Sequence, residues 1–431
     1  MRRKARPGGG RQADLTIDAL GGRGDGVAQL EGRPVFVPLT LPGERVRVRL
    51  TGERAGGFKA ELLELLEPAA ERVGAPCPNF GPCGGCTLQH LEEGRYRAWK
   101  QGLVGQALAR RRLSGEVVRP LVSIPPGTRR RASLAALRRG AVVLLGFHGR
   151  ESHRVVDAAG CLLLTPGLMA LLPRLRETLA GVLEDREAVQ LTVSETETGP
   201  DLLLVSPRAP DLAAREALVA LAEAANLARL SWGPPGEAPE PLALRKPPRV
   251  DLGGVAVEPP PGGFLQPSAG GEAALRSLVL ASLPEGSGRI LELFAGCGSF
   301  TFALAGRGRV HAVEGDQAAL AALWAAARHA GLAGRLSVET RDLSRQPLTA
   351  KELAAYGCVV FDPPRAGARE QAERIADSAV PAVVAVSCNP NSFARDARIL
   401  VDGGYSLIAV TPVDQFPWSG HLELVASFRR R

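Results

Sequence analysis

The chain has 431 residues, of which 45% are apolar, and it carries a formal net charge of +8 at pH 7. This length predicts two or three globular domains, each with a hydrophobic core of its own. No run of about 18 apolar residues predicts a membrane span, and the basic residues 1–7 are unlike a signal peptide. Seven cysteines in a chain without an export signal argue against a disulfide framework. The sequence therefore predicts a cytoplasmic protein with no membrane partner.

The amino-terminal region is predicted to contain an arm and a small β domain. Residues 1–12 are basic and glycine-rich, which predicts a disordered arm. Residues 13–69 contain short alternating runs between glycine turns, which predicts a small antiparallel, OB-like β-barrel. In one of its strands, apolar residues expected to face the core alternate with Arg45, Arg47 and Arg49. That arginine face is either ordinary alternation on a solvated strand or a surface that faces RNA.

The central region, residues 70–262, is predicted to form a domain of mixed α and β structure. A helical pattern covers residues 92–112. A proline-rich loop at residues 259–262 marks the boundary with the next domain. Strand-like runs lie between them at 141–145 and 202–205.

Arginine occurs in clusters of two or three within this domain. Guanidinium groups form bidentate hydrogen bonds with phosphates, so nucleic acid is a natural partner for a chain of this charge. The alternative is that the clusters are solvated helix ends without a binding role. They lie at residues 110–112, 129–131 and 138–139.

Three cysteines lie close together in the central domain, at Cys77, Cys83 and Cys86, in a segment bent by glycines and prolines. Thiolates at this density indicate a metal site, for which Cys161 is the candidate fourth ligand. Four cysteines satisfy structural zinc and an iron–sulfur cluster equally well, and their spacing does not decide between the two. Elsewhere, Cys358 heads an apolar strand and is predicted to lie in the core.

Residues 263–431 alternate between strand and helix patterns, which predicts an α/β domain with a doubly wound sheet. Ligands of such sheets bind outside the carboxyl ends of the strands. The last two strands are joined by residues 411–420 and are predicted to form an antiparallel pair at one edge. Predicted strands lie at 290–294, 310–314, 359–361, 383–387, 405–410 and 422–428, and predicted helices at 300–305 and 317–329.

The loop after the first of these strands, residues 294–300, has the sequence FAGCGSF. Its small residues allow the backbone to pass close to a cofactor, but it lacks the third glycine of the dinucleotide fingerprint. Glu314 ends the next strand, about 20 residues further on, where a carboxylate accepts hydrogen bonds from ribose hydroxyls. An adenosyl ligand without a pyrophosphate fits better than NAD. The alternatives are a structural glycine turn and a surface carboxylate, and Cys297 is expected to have a packing role.

Two further loops follow apolar strands and carry reactive side chains. Asp362 begins an Asp-Pro-Pro-Arg loop that resembles the loop of amino-methyltransferases, but Arg365 replaces the aromatic residue that such enzymes stack on the base. Transfer to an exocyclic amine is therefore disfavoured. Cys388 is a candidate nucleophile, because C5 of uracil reacts only after a group such as a thiolate has added to C6. Glu423 is the candidate base for the C5 proton, unless it is a solvent-facing carboxylate on an edge strand.

In their order and combination, these motifs resemble the bacterial RNA uracil-5-methyltransferase family, in particular its 23S rRNA branch, which has an amino-terminal TRAM domain and a [4Fe–4S] cluster. The resemblance spans nearly the whole chain. Besides the loops above, it includes Gly24-Asp25-Gly26-Val27-Ala28, Pro42-Gly43-Glu44, the run from Cys77 to His90, Phe264-Leu265-Gln266, and Asp414-Gln415-Phe416-Pro417 ahead of His421-Leu422-Glu423.

The resemblance implies a class I, Rossmann-like domain that uses S-adenosyl-L-methionine to form 5-methyluridine in 23S rRNA. It implies that Cys388 bonds covalently to uracil C6 and that Glu423 is the base. It further implies a [4Fe–4S] cluster on Cys77, Cys83, Cys86 and Cys161, and it indicates no obligate protein partner. The implied cofactor-binding residues are Gln266, Phe294, Ser299, Glu314, Asp342 and Asp362.

Two other functions remain open. The same chemistry could act on uridine in the T loop of tRNA, although the tRNA-specific relatives generally lack both the barrel and the cysteine cluster. The protein could also be a non-catalytic RNA-binding factor, against which the intact Cys388, Glu423 and Asp362 argue. Ser299 stands where members of the family often have asparagine, so a hydrogen bond near the cofactor is expected to be rearranged.

Overall fold

The structure, a computed structural model, describes residues 10–54 and 56–431. The chain divides into two compact units. The first runs up to Lys100 and includes Trp418–His421, and the second comprises Gln101–Pro417 and Leu422–Arg431. Among the described residues, no helix is both long enough and apolar enough to cross a membrane.

The first unit is built on a six-stranded sheet with the order β1-β5-β6-β4-β3-β2, in which β4 and β6 pair in parallel and the other neighbours are antiparallel. The alternation in its longest hairpin fixes which side chains are buried. Val46 and Val48 are fully buried, as predicted. The strands are β1 (Gln12–Thr16), β2 (Ala19–Leu20), β3 (Gly26–Leu30), β4 (Arg33–Val37), β5 (Arg45–Arg54) and β6 (Gly57–Glu67).

The arginines on the other face of β5 are all paired with carboxylates. Arg45 pairs with Glu67 at 2.8 Å and Arg49 with Glu61 at 2.8 Å. Arg47 lies between two carboxylates, Asp14 at 2.8 Å and Glu64 at 2.9 Å. This face of the strand therefore carries nearly balanced charge.

The predicted arm at residues 1–12 is too long. Gln12 already begins β1, and the carbonyl of Arg11 accepts a hydrogen bond from the backbone N–H of Leu50. The predicted boundary after residue 12 is based on the alternating pattern of side chains, whereas backbone pairing extends the sheet beyond that pattern. The first nine residues of the arm lie outside the described residues.

The central part of the chain contains helix α1 (Glu93–Ala109), close to the predicted helix, and a seven-stranded sheet with the order β10-β9-β8-β11-β12-β13-β14. Two helices, α2 (Pro166–Val182) and α3 (Leu212–Ala224), pack on this sheet. The arginine clusters at 129–131 and 138–139 lie at the two ends of β8, so they are not helix ends. The strands of this sheet are β8 (Arg131–Arg139), β9 (Val142–His148), β10 (Val155–Asp157), β11 (Ala188–Ser194), β12 (Asp201–Val205), β13 (Arg229–Gly233) and β14 (Glu240–Leu244). The short strand β7 (Val122–Ser123) precedes them in the chain and belongs to another sheet.

The carboxyl-terminal part alternates between strands and helices, as predicted. A short hairpin of β15 (Val250–Asp251) and β16 (Ala256–Val257) precedes it. Its strands are β17 (Arg289–Leu293), β18 (Arg309–Glu314), β19 (Leu336–Thr340), β20 (Cys358–Phe361), β21 (Ala382–Ser387), β22 (Tyr405–Asp414) and β23 (Glu423–Arg430). Its helices are α4 (Ala269–Ser282), α5 (Thr301–Ala305), α6 (Gln317–His329), α7 (Ala350–Leu353), α8 (Arg369–Ala376) and α9 (Pro390–Asp402).

These strands form an eight-stranded mixed sheet with the order β19-β18-β17-β20-β21-β23-β22-β7. The five strands from β19 to β21 are parallel, and β23 is antiparallel to both of its neighbours. Alternate residues supply two cores: α7, α8 and α9 cover one face, and α4, α5 and α6 cover the other. Because both faces are covered, the central strands read as continuous apolar runs.

The position of the last hairpin corrects one prediction. β22 and β23 do pair in an antiparallel manner, but β7 pairs with β22 and forms the edge of the sheet. β7 has only two residues and comes from the central region, so no pattern in the sequence pointed to it. Glu423 is the first residue of β23, which lies inside the sheet because it pairs with both β21 and β22.

Candidate active site

Three junctions between strands and loops meet at the carboxyl edge of the eight-stranded sheet, as the sequence predicts. β17, β20 and β21 are neighbours, and their register aligns Leu293 with Phe361 and Phe361 with Ala385. The glycine loop follows β17, Asp362 follows β20, and Cys388 follows β21. This is the edge at which open parallel sheets bind ligands.

The sheet register brings Cys388 and Glu423 opposite one another. Ser387 pairs with Leu424 between the antiparallel β21 and β23, so the next residues along are Cys388 on one chain segment and Glu423 on the other. Residues directly opposite in such a pair have β-carbons about 5 Å apart. Glu423 is 5% exposed, so the alternative of a solvent-facing carboxylate is wrong.

Burial raises the pKa values of all three reactive groups, and repulsion by neighbouring carboxylates adds to the rise at Glu423 and Cys388. Desolvation raises the pKa of Asp362. Desolvation and the charge of Asp362 raise the pKa of Glu423, and Gln415 offsets part of this rise. Desolvation, followed by the charges of Glu423 and Asp362, raises the pKa of the Cys388 thiol to about 11. The resting site therefore holds Cys388 as a neutral thiol, beside carboxyl groups suited to proton exchange near neutral pH.

Hydrogen bonds connect the Cys388 loop to the Asp362 loop. The carbonyl of Arg365 accepts a hydrogen bond from the Asn389 side chain at 3.1 Å and another from the Ser392 hydroxyl at 3.1 Å. Asn389 also caps α9 by accepting a hydrogen bond from the backbone N–H of Asn391. The two loops are thus fixed relative to each other, although Arg365 itself is exposed.

The glycine loop combines a strained backbone with open space. Phe294 has a φ of 62°, a left-handed conformation that is uncommon for a residue with a side chain. Gly296 has a φ of 55°, and a β-carbon built on it would meet no atom within 4 Å. Glu314 braces the loop, because its carboxylate accepts hydrogen bonds from the backbone N–H groups of Gly296 and Asp316, both at 2.8 Å. Glu314 therefore holds the backbone of this loop in place, and its role as an acceptor for ribose hydroxyls stays a prediction.

Ser299 contacts a residue that the sequence did not single out. Its hydroxyl donates a hydrogen bond to Glu272 at 3.1 Å, and Glu272 is 2% exposed and ion-paired with Arg130 at 3.0 Å. Burial raises the pKa of Glu272, which the charge of Arg130 partly opposes. The helical spacing of the sequence could have indicated this residue, because Glu272 lies on the same buried face of α4 as Leu275 and Val279.

Two other buried polar residues were also missed. Gln415 donates a hydrogen bond to the side-chain oxygen of Gln266 at 2.7 Å, and both residues are buried. Glu292 is 1% exposed within β17, below the glycine loop, and desolvation raises its pKa to about 8. A carboxylate inside an otherwise apolar strand was the available signal in the case of Glu292.

Asp342 lies further from the reactive groups than the other predicted residues. It follows β19, which is two strands away from β17, and its side chain is 55% exposed. Its carboxylate accepts hydrogen bonds from the backbone N–H and the hydroxyl of Ser344. The structure thus gathers Gln266, Phe294, Ser299, Glu314 and Asp362 near the reactive loops and puts Asp342 at the rim of the same edge.

The predicted metal ligands lie in different units. Cys77, Cys83 and Cys86 belong to the first unit, where all three are half-buried, and Cys161 belongs to the second. In the first unit, the backbone N–H of Cys77 donates a hydrogen bond to the Gln89 side chain at 3.0 Å. Across residues 10–54 and 56–431, no group of three or more His, Cys, Asp or Glu side chains has the arrangement of a metal site. The sequence also predicts a packing role for Cys297 and a core position for Cys358, and both side chains are buried.

Comparisons with known proteins identify the family of this chain. Residues 256–431 match the model of the tRNA (uracil-5-)-methyltransferase family. An RNA methyltransferase of Rhizobium meliloti is 43% identical over 96% of this chain and 99% of its own length. The 23S rRNA (uracil(1939)-C(5))-methyltransferase RlmD of Chromohalobacter salexigens is 35% identical over 95% of this chain and 87% of its own length. The chain belongs to the RNA (uracil-5-)-methyltransferase family.

A solved structure shows the same fold for this methyltransferase. The Pyrococcus abyssi tRNA (uracil-54, C5)-methyltransferase, in complex with S-adenosyl-L-homocysteine, aligns with a TM-score of 0.73 over 96% of this chain and 100% of its own length. The sequence identity is 22%, so this comparison concerns the fold alone. The family match and the relatives together establish that this protein is an enzyme that methylates C5 of uracil in RNA, as the motifs predicted.

Proposed function

We propose that this methyltransferase converts a uridine of 23S rRNA to 5-methyluridine through a covalent bond between Cys388 and uracil C6. The observation that carries the proposal is the register that sets Cys388 opposite the buried Glu423. Within the proposal, the carboxyl-terminal sheet is a class I, Rossmann-like domain covering residues 263–431. The sheet of the first unit is a TRAM-like barrel covering residues 13–69, and residues 70–262 form the central domain.

The residues at the glycine loop fit S-adenosyl-L-methionine. Gly296 leaves open space where a close approach of the cofactor is needed, and the carboxylate of Glu314 keeps lone pairs for ribose hydroxyls. When bound, this cofactor supplies an electrophilic methyl group. The residues proposed to hold it are Gln266, Phe294, Ser299, Glu314, Asp342 and Asp362.

The residues of the chain perform the remaining chemistry. The target base must leave its stack before the Cys388 loop can reach it. Once its thiol has lost its proton to solvent water, Cys388 forms a bond to C6. The C5–C6 double bond breaks as this bond forms, and its electrons make C5 nucleophilic. After C5 has been methylated, ionised Glu423 accepts the proton of C5. The C5–C6 double bond then forms again as the bond between sulfur and C6 breaks, which frees the enzyme.

Replacing Glu423 tests this sequence of steps. Glu423→Gln keeps the shape of the side chain but removes the base, so addition and methylation should proceed while release stalls. A band shifted by covalently bound RNA should appear on denaturing gels, and it should be absent from the double variant Glu423→Gln, Cys388→Ala. Normal turnover without a shifted band would show that Glu423 is not the base.

The rRNA target is proposed on two grounds. The family resemblance points to the 23S branch, and a relative that is 35% identical is named for a uridine of 23S rRNA. Sequence-specific proteins mostly read unpaired RNA, so the target is expected in a loop whose bases can splay out. Uridine in the T loop of tRNA is the alternative substrate.

The proposed [4Fe–4S] cluster is held by Cys77, Cys83, Cys86 and Cys161. Two observations support this cluster: three of the four thiols lie in one short segment, and the chain resembles the branch of the family that has such a cluster. Protein purified without oxygen should be brown and should contain about four irons per chain. Cys77→Ser should remove the colour, whereas Cys358→Ser, a change at a core cysteine, should not. Colourless protein with stoichiometric zinc would contradict the proposal.

A further inference from the structure

A cavity lies at the opposite edge of the eight-stranded sheet from the candidate active site. It has a volume of about 300 Å³ and is formed at the amino ends of β17, β18 and β19. Six of its lining residues carry polar or aromatic side chains: Arg289, Arg309, Arg335, His311, Ser337 and Tyr356. Three arginines around one small cavity indicate an anionic ligand.

The sheet register puts the three arginines in one row. Arg289 pairs with Arg309 between the parallel β17 and β18, so their side chains point to the same face. Arg335 immediately precedes β19, and its carbonyl accepts a hydrogen bond from Val310, which puts it level with Arg309. Neighbouring strands are about 4.8 Å apart, so all three guanidinium groups can reach the same phosphodiester group.

Within the described part of the chain, these arginines have no carboxylate partner. All three are exposed, and among the described residues none of them forms an ion pair with an aspartate or glutamate. The arginines of β5 are different, because each of them is paired with at least one carboxylate. Like charges on directly neighbouring strands repel each other, so an unpaired row of three is unfavourable until an anion binds.

The floor of the cavity is held in place by aromatic and polar contacts. The guanidinium of Arg289 lies 5.2 Å from the centre of the Tyr356 ring, and the ring of His311 stacks on Tyr356 at 6.2 Å. His311 in turn contacts the Ser337 hydroxyl at 2.8 Å and the Glu339 carboxylate at 3.1 Å. Such contacts lower the conformational entropy that the site loses when a ligand binds.

We propose that this cavity binds a backbone phosphodiester of the substrate RNA, at a nucleotide outside the loop that carries the target uridine. The inference rests on the proposed RNA substrate. β17 has five residues and is about 17 Å long, so RNA that contacts both of its ends must extend beyond the nucleotides at the active site. The cavity therefore favours RNA that extends beyond the target loop.

The test compares two RNAs and two triple variants. Arg289, Arg309 and Arg335 are changed together to Gln, and the control changes Arg307, Arg328 and Arg374, which are exposed arginines of the same unit outside the cavity. The RNAs are unmethylated full-length rRNA and a short hairpin that contains only the target loop. Filter binding over a range of salt concentrations gives affinity, and methyl transfer gives KM and kcat.

The cavity variant should bind full-length rRNA about tenfold more weakly, and its salt dependence should fall by about one released counterion per lost phosphate contact. Its kcat, and its KM for the short hairpin, should match the wild type. Equal binding of full-length rRNA by wild type, cavity variant and control would overturn the inference, as would an equal loss in the control. If the wild type methylates neither RNA, the proposed function fails, whereas the binding comparison still decides the inference. Arg309→Gln alone provides the same comparison if the triple variant does not fold.

Discussion

The thiol of Cys388 is the least acidic of the groups that the proposed reaction needs. Its pKa is raised to about 11 by desolvation and by the charges of Glu423 and Asp362. Since the thiolate is the reactive form, iodoacetamide should modify Cys388 slowly near neutral pH and faster as the pH rises toward the pKa of the thiol. Mass spectrometry of the peptide that contains Cys388 measures this rate separately from the other cysteines.

Glu423→Gln should accelerate this alkylation at alkaline pH. Above its raised pKa, Glu423 is ionised and holds the thiol pKa up, and glutamine removes that charge. Below that pKa, the carboxyl group is already neutral, so wild type and variant should react at similar rates. Equal rates at alkaline pH would show that the charge of Glu423 does not act on Cys388.

Glu292 should make stability depend on pH. Burial raises its pKa from 4.5 to about 8, so the folded protein binds this proton more tightly than the unfolded chain. The contribution to stability is therefore present at low pH and is lost as the pH rises from 4.5 through about 8. The free energy of unfolding of the wild type should fall over this window by up to about 1.4 kcal/mol per pH unit.

Glu292→Gln should flatten this profile, because a neutral side chain has no proton to lose. Urea unfolding at several pH values measures the difference between the two proteins. Glu285→Gln, at an exposed glutamate of the preceding loop, is the control and should leave the profile unchanged. A Glu292→Gln profile as steep as that of the wild type would contradict the assignment.

At the scale of elements, the two glycines of the loop after β17 have different roles. A β-carbon on Gly298 would lie 2.6 Å from the Phe302 ring at a φ of 104°, whereas Gly296 has a φ of 55° and open space. Gly298→Ala should therefore destabilise the fold by about 1–3 kcal/mol. Gly296→Ala should cost about 1 kcal/mol but should weaken binding of S-adenosylmethionine, because its methyl group fills the proposed cofactor space.

Thermal unfolding and calorimetric titration with the cofactor separate these two effects. The matched pair controls for the loss of glycine itself, since both changes add one methyl group to the same loop. Binding by Gly296→Ala that is as tight as in the wild type would contradict the proposed position of the cofactor. Unchanged stability of Gly298→Ala would contradict the tight packing against Phe302.

Strong local patterns made several elements predictable. The predicted helix at 317–329 has the observed bounds of α6, because its alanine-rich sequence favours a helix and Asp316 caps its first turn. β19 and β7 were not predicted, because β19 is partly exposed and β7 has only two residues. The loops that carry Cys388 and Asp362 could be found in the sequence because each follows an apolar strand.

The parts of the site that could not be predicted depend on contacts between distant segments. The pairing of β21 with β23, which sets Cys388 opposite Glu423, is a matter of register that no local pattern encodes. The contact between Ser299 and Glu272 likewise joins a loop and a helix that are far apart in the chain. The row of Arg289, Arg309 and Arg335 arises only when three strands align.

At the scale of the whole molecule, the distribution of positive charge matters more than its total. The net charge of +8 predicted a nucleic-acid partner, and the family establishes RNA as the substrate. The arginine face of β5, which the sequence offered as an RNA-facing surface, is already paired with carboxylates. The unpaired row at the amino edge of the larger sheet is the better candidate for phosphate contacts outside the active site.

The central claim is that the enzyme forms 5-methyluridine in 23S rRNA and that Cys388 is its nucleophile. Its most direct test is to delete the gene, restore either the wild type or Cys388→Ala, and map 5-methyluridine in total rRNA and tRNA by mass spectrometry. The account predicts that one 5-methyluridine disappears from 23S rRNA in the deletion strain, returns with the wild type and does not return with Cys388→Ala. Loss from tRNA with rRNA unchanged, or restoration of the modified nucleotide by Cys388→Ala, would contradict it.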